Sequence, residues 1–228
     1  MATLIGHFGK EKRLKTLSFA DQFRQLEMAG YIPQKRVGNF EVTHHTVSKH
    51  EETITRIQAM QHPCDITRAG TKLCVLSSDG NKWDPVMSDA EMEKTENLSF
   101  VLNARGHILI GGLGLGMIVV AILKFKPNEV ASITVIEKEQ DIIKLILPHL
   151  KKLDAPHKIT VVHGDIFQFT PPQNAKYDTI WFDIWNTICG DNWPAIKTLK
   201  RRFRRFLAQN GWMKAWAEDK VHCYFSRE

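Results

Sequence analysis

Apolar and polar positions follow two different patterns along this chain, and the change falls near residue 100. Beyond it, short apolar runs recur at 107–110, 132–136, 158–163, 177–181 and 211–216, separated by stretches with apolar residues every three or four positions. Such runs fit buried strands, and the intervening periodicity fits amphipathic helices. The pattern predicts strand 107–112, helix 115–125, strand 131–137, helix 139–152, strand 158–163, strand 177–183, helix 192–208 and strand 211–216. Asn210-Gly211 reads as the stop of the last long helix. Strands alternating with helices imply an α/β fold, and right-handed crossovers give a mostly parallel, doubly wound sheet of order 3-2-1-4-5.

Residues 1–100 predict a separate α+β extension that packs on this core, the core itself being residues 101–228. An amphipathic helix is expected over 19–28, ended by Tyr31-Ile32-Pro33, and a second over 51–60. Residues 71–77 and 82–87, joined by Ser78-Asp79-Gly80-Asn81, read as a β-hairpin. Ser88, with Glu91 three residues later, reads as the cap of a helix running through Asn97.

The chemistry concentrates after the first strand of the core. Gly111, Gly112, Gly114 and Gly116 form a turn that opens a helix, and the next strand ends on the carboxylate of Glu137, 21 residues past Gly116. Strand, glycine turn, helix, strand and acid in this order fit a nucleotide-binding βαβ unit, with the helix N-terminus offering free N–H groups and the acid placed for ribose hydroxyls. The spacing G-G-x-G-x-G is not the G-x-G-x-x-G of a pyrophosphate site, and no Lys-Ser/Thr pair makes a phosphate loop. Two further strands end on acids: 158–163 leads to Gly164-Asp165-Ile166-Phe167, and 177–181 leads through Phe182 to Asp183-Ile184-Trp185-Asn186. Each acid alone is also a common turn or cap residue. Three at successive strand ends point to an adenosine-containing ligand at the carboxyl edge of the sheet.

These motifs resemble the class I S-adenosylmethionine-dependent methyltransferases. The order hairpin, acidic stretch, helix, glycine loop is closest to their relatives the spermidine synthases, and the likeness covers about residues 70–216. The resemblance implies a Rossmann-like sheet with S-adenosylmethionine as cofactor. Gly111, Gly112, Leu113, Gly114 and Gly116 would cradle its amino-acid end, with Glu137 at the ribose, Asp165 and Ile166 at the adenine, and Lys138 also among the cofactor-binding residues. It places Asp183 beside the reactive end as a catalytic base or as a cofactor-facing carboxylate, and Trp185 and Asn186 against the substrate. The pattern departs from the family in three places. Asn186 stands where spermidine synthases carry the second aspartate of a D-x-x-D motif. The prolines of base-methylating enzymes are missing from 183–186, and Pro63-Cys64 precedes the glycine loop instead of following it. The core also looks C-terminally truncated, since the 12 residues after Trp216 leave room only for a short helix or an edge strand. Methyl transfer to an unknown small-molecule or macromolecular acceptor, aminopropyl transfer, and non-catalytic binding of an adenosine cofactor all remain open.

Composition adds bounds. With 228 residues and 43% hydrophobic content, the chain can bury an ordinary core. Four scattered cysteines, Cys64, Cys74, Cys189 and Cys223, without a C-x-x-C pair, suit a reducing compartment, so a cytoplasmic location is expected. His44, His45, His50, His62 and Cys64 match no standard metal spacing, and no metal is expected. The apolar stretch 108–123 is too short to span a bilayer and carries the glycines in its first half, so no membrane role is expected. The net charge of +6 concentrates in 197–205, KTLKRRFRR. Apolar positions at helical spacing bury one face of that segment and turn Arg201, Arg202, Arg204 and Arg205 outward, so a nucleic-acid partner has no motif to support it. The resemblance leaves room for a homodimer.

Overall fold

The computed structural model of the chain describes residues 18–45, 70–76, 80–154 and 158–226. Its centre is a five-stranded parallel sheet of β5 (Gly106–Gly111), β6 (Val130–Glu137), β7 (Ile159–His163), β8 (Tyr177–Phe182) and β9 (Leu207–Ala215). The strands lie in the order β7-β6-β5-β8-β9, which is the expected 3-2-1-4-5. The central strand is apolar on both faces because helices cover both. Ile108 and Ile110 pack toward α3 (Met117–Phe125) and α4 (Gln140–Leu153), whereas Leu109 packs with Ile196, Leu199 and Phe203 of α5 (Trp193–Phe203). This is the two-residue alternation of a strand buried on both sides. A short helix, α6 (Glu218–Phe225), follows β9.

Ahead of this sheet, β1 (Lys35–Val37), β2 (Phe40–His45), β3 (Gly70–Leu76) and β4 (Trp83–Ser88) form an antiparallel sheet in chain order. The expected hairpin is β3–β4, and β1–β2 add two strands the apolar pattern left unassigned. Val37 pairs with Phe40 across Gly38-Asn39, and Gly38 has φ +55°, the backbone a two-residue hairpin turn demands. This sheet and α1 (Phe19–Arg24) share one hydrophobic core with α2 (Glu91–Asn103), α3 and α4. The change of pattern near residue 100 falls inside α2.

Several element ends differ from expectation, each for a local reason. The first helix stops at Arg24 instead of 28 because the Met28 N–H donates to the buried Asp89 carboxylate at 2.7 Å. Asp89 also accepts from Thr71 N at 2.7 Å, tying the turn at Met28 to β3 and to the end of β4. Ser88 is not the cap of α2: Ala90 holds that position, and the Ser88 hydroxyl accepts from Ala90 N. At the other end of the chain, α5 stops at Phe203, and β9 begins at Leu207 opposite Tyr177. Asn210-Gly211 is therefore not a helix stop but lies in a bulge of β9, with Asn210 at φ +68°. Arg202 is not a free solvent-facing arginine. It is half-buried and donates to the Phe169 carbonyl at 2.7 Å, while Arg201, Arg204 and Arg205 are exposed.

The helix expected over 51–60 lies outside the described residues, as do His50, His62 and Cys64. Among the described residues no group of three His, Cys, Asp or Glu side chains could hold a metal ion. No helix among them is long and apolar enough to cross a membrane.

Candidate functional site

Parallel register brings the ends of three strands to one level. Gly111 pairs with Ile136 on one side and Phe182 on the other, so the loops after β5, β6 and β8 open side by side. They surround a cavity of about 450 Å³ at the carboxyl edge of the sheet, where open α/β sheets place their ligands. Gly112, Leu113, Gly114, Glu137, Lys138, Asp165, Ile166, Asp183, Trp185 and Asn186 all line it.

The glycine turn is shaped by close approach. Gly112 has φ +95°, and a Cβ there would lie 2.0 Å from the Asp183 carbonyl oxygen. No other residue lets the β5 and β8 ends meet this tightly. Two expected contact residues are off the wall. Gly111 is the last residue of β5, and its Cα backs onto Ile166 and Phe182. Gly116 starts α3 and faces Ile146 and Leu150 of α4, where its lack of a side chain lets the two helices pack.

Glu137 is buried and splits its carboxylate between two backbone donors, Leu113 N at 2.7 Å and Glu139 N at 2.8 Å. It thereby fixes the glycine turn to the end of β6 while keeping a lone pair on each oxygen for a ligand. Burial pushes its pKa up, and the Glu139 and Leu113 amides oppose that shift. Asp165 accepts from Phe167 N at 2.8 Å, a turn that presents Ile166 and Phe167 to the cavity.

The wall facing the glycine turn comes from the antiparallel sheet and α2. Phe40, Val75, Val86 and Met87 line it, as does Glu93. Met87 reaches across the cavity edge: its Sδ accepts from Leu115 N at 3.3 Å and sits 2.3 Å from where a Cβ on Gly114 would be. None of these residues stands out in the sequence, since their motif-free side chains become a site only when the second sheet is folded against the first.

Glu93 and Asp183 are the most perturbed acids described. Burial, then the charges of Asp183 and Glu96, push Glu93 up to about 8. Burial pushes Asp183 up to about 7. Both side chains stay partly accessible and line the cavity. The indole N–H of Trp216 lies close enough to Glu93, and that of Trp181 to Asp183, to favour the charged forms, yet neither reaches hydrogen-bonding geometry and both indoles are buried. Trp181, within β8, also stacks between Phe100 and Trp212 at centroid distances of 5.2 and 5.8 Å and is chiefly a core residue.

No family model matches the chain, and no curated protein matches it by sequence. Solved structures do. A methyltransferase from Podospora anserina bound to S-adenosylhomocysteine is 15% identical, with 75% of this chain and 72% of that one covered and a TM-score of 0.45. The CcbJ methyltransferase from Streptomyces caelestis is 15% identical over 53% of this chain and 47% of that one, with a TM-score of 0.41. An S-adenosylmethionine-dependent methyltransferase from Clostridium acetobutylicum is 15% identical over 52% and 45%, with a TM-score of 0.36. The chain spans about half the length of many of the structures it matches. These are likenesses of strand and helix arrangement; the chemistry rests on the cavity.

Proposed function

We propose that this chain is an S-adenosylmethionine-binding transferase, and that the group it transfers is a methyl. The observation that carries the reading is the convergence on one cavity of a glycine turn too tight for any Cβ, the Glu137 carboxylate held against that turn, and Asp165-Ile166 at the next strand end. The cavity volume suits a small-molecule cofactor, whose sites run to about 300–1,000 Å³. The turn carries no third glycine at dinucleotide spacing, which favours an adenosine ligand without a diphosphate.

In this reading Glu137 accepts ribose hydroxyls, Asp165 accepts from the adenine amino group, and Ile166 covers the ring. Leu113 and Gly114 hold the amino-acid end, with Lys138 at the rim. The bound cofactor supplies a sulfonium whose methyl is intrinsically reactive. The protein's task is to align the acceptor and manage its proton. Asp183 faces the acceptor, flanked by Trp185 and Asn186.

Aminopropyl transfer is the second reading. Asn186 counts against it, but Glu93 restores a second carboxylate to the cavity beside Asp183. Calorimetric titration with S-adenosylmethionine, S-adenosylhomocysteine and decarboxylated S-adenosylmethionine decides the matter. Micromolar or tighter binding of the first two is expected, at about −8 kcal/mol. Preference for the decarboxylated form would establish the second reading, and no binding of any would end both.

A further inference from the structure

Glu93 arrives at the cavity from α2, whereas Asp183 arrives from the end of β8. Neither forms an ion pair among the described residues. Glu96, one turn along α2 from Glu93, is by contrast paired with Lys220. Among the described residues the one cationic side chain on the wall, Lys138, follows β6 beside Glu137 and Glu139. Behind the pair stand two buried indole N–H groups without hydrogen-bond partners, Trp216 toward Glu93 and Trp181 toward Asp183. Such donors favour carboxylate over carboxylic acid but add no compensating charge. Two like charges facing one cavity are relieved either by a bound proton or by an entering cation, which then competes with that proton. Trp185, on the same wall, is an aromatic side chain of the type that attracts a cation.

We propose that Glu93 and Asp183 form an acidic pair that selects an acceptor carrying a protonated amine, a role that rests on the transferase reading above. The ammonium enters between the carboxylates, and one N–H bond breaks as Asp183 gains an O–H bond. The freed nitrogen lone pair then forms the N–C bond while the C–S bond breaks, its electron pair going to sulfur, and the methylated product leaves as an ammonium. Glu93 gives up its own proton to solvent as the cation enters, and its carboxylate then holds the ammonium in place while Asp183 takes the proton from nitrogen. The pair is half-protonated near neutral pH, so binding an ammonium displaces a proton to solvent.

The test is calorimetric titration of the full chain with n-butylammonium chloride and with 1-butanol, with and without S-adenosylhomocysteine, in buffers of different ionisation enthalpy. The ammonium is expected to bind roughly tenfold or more tightly than the alcohol, with net proton release, and more tightly at about pH 8.5 than at about pH 6. Glu93→Gln should abolish the preference and the proton release, and Glu93→Asp should retain both in part. Equal binding of alcohol and ammonium, or a preference that survives Glu93→Gln, overturns the proposal. Should Glu93→Gln not fold, the wild-type pH series decides alone, a preference that fails to rise with pH being the adverse result. Failure of S-adenosylhomocysteine to bind removes the transferase reading, while the amine and alcohol titrations still decide the acidic pair.

Discussion

The two walls of the cavity are built from different materials. The wall at the ends of β5, β6 and β8 is mostly backbone: a glycine turn, the amides of Leu113 and Glu139 gathered by Glu137, and carbonyls brought within contact of Gly112. The wall from the antiparallel sheet and α2 is mostly side chain: Phe40, Val75, Val86, Met87 and Glu93. Backbone geometry tolerates almost no substitution, because it is fixed by sheet register. Side chains can be exchanged with the fold intact. The first wall therefore suits a ligand part that never varies, and the second suits whatever distinguishes one acceptor from another.

The sharpest way to break the first wall is Gly112→Ala. A Cβ would stand 2.0 Å from the Asp183 carbonyl oxygen at φ +95°. Separating β5 from β8 is the only relief, and a cost on the order of 3–5 kcal/mol is expected from clash and backbone strain together. Chemical denaturation should show the midpoint falling, and a variant as stable as the parent would remove the close approach from the account of the site.

Glu137→Ala comes next. It orphans two amides, each costing roughly 1–3 kcal/mol if left buried and unsatisfied, and takes away the proposed ribose acceptor. S-adenosylhomocysteine affinity should weaken at least about tenfold, the equivalent of roughly 1.4 kcal/mol. A folded variant with unchanged affinity would reduce Glu137 to a strut for the turn.

The first wall was legible in the sequence and the second was not, and the reason is physical. Gly112, Glu137, Asp165 and Asp183 announce themselves because each ends a strand whose apolar run is visible, and parallel register converts strand ends into neighbours. Glu93 sits mid-helix among other acids, Glu91 and Glu96, and only the fold separates the one facing the cavity from the one paired with Lys220. The strands β1 and β2 escaped because three- and six-residue strands carry little periodicity, although Gly38-Asn39 was a usable hairpin signal. The end of α5 was misplaced because the segment 204–208 continues the helical spacing, and pairing of Leu207 with Tyr177 overrides it. Local preference lost to a tertiary contact there, as it did when Asp89 took the Met28 amide.

Glu93→Gln tests the second wall from the opposite direction, since it should stabilise the ligand-free protein. The folded pKa, about 8, lies above the ordinary carboxylate value of 4.5. A raised folded pKa means the native state binds the proton more tightly, so stability is full below the unfolded pKa and is lost as pH rises from about 4.5 toward about 8. Gln carries no charge to desolvate. At about pH 8.5 the variant should therefore be more stable than the parent by about 1–3 kcal/mol, and at about pH 4 the two should nearly coincide. Thermal denaturation across that range checks it. A variant less stable at high pH would mark Glu93 as an ordinary structural acid.

The smallest effect is expected where the two walls touch. Met87 of β4 places its sulfur on the Leu115 amide at 3.3 Å, in the first turn of backbone after Gly114. A thioether is a weak acceptor, so the contact serves mainly to seat the second sheet on the glycine turn. Met87→Leu keeps most of the apolar volume and removes only the acceptor. Volume-conserving exchanges of this kind cost less than about 1.5 kcal/mol, and here the loss should fall below about 1 kcal/mol because the hydrogen bond given up is a weak one. Met87→Ala, by contrast, opens the cavity edge and should also slacken the turn, so hydrogen exchange at the Leu115 amide should accelerate in the Ala variant far more than in the Leu variant. Equal acceleration in both would mean that the sulfur itself, and not the bulk around it, holds the backbone wall to the side-chain wall.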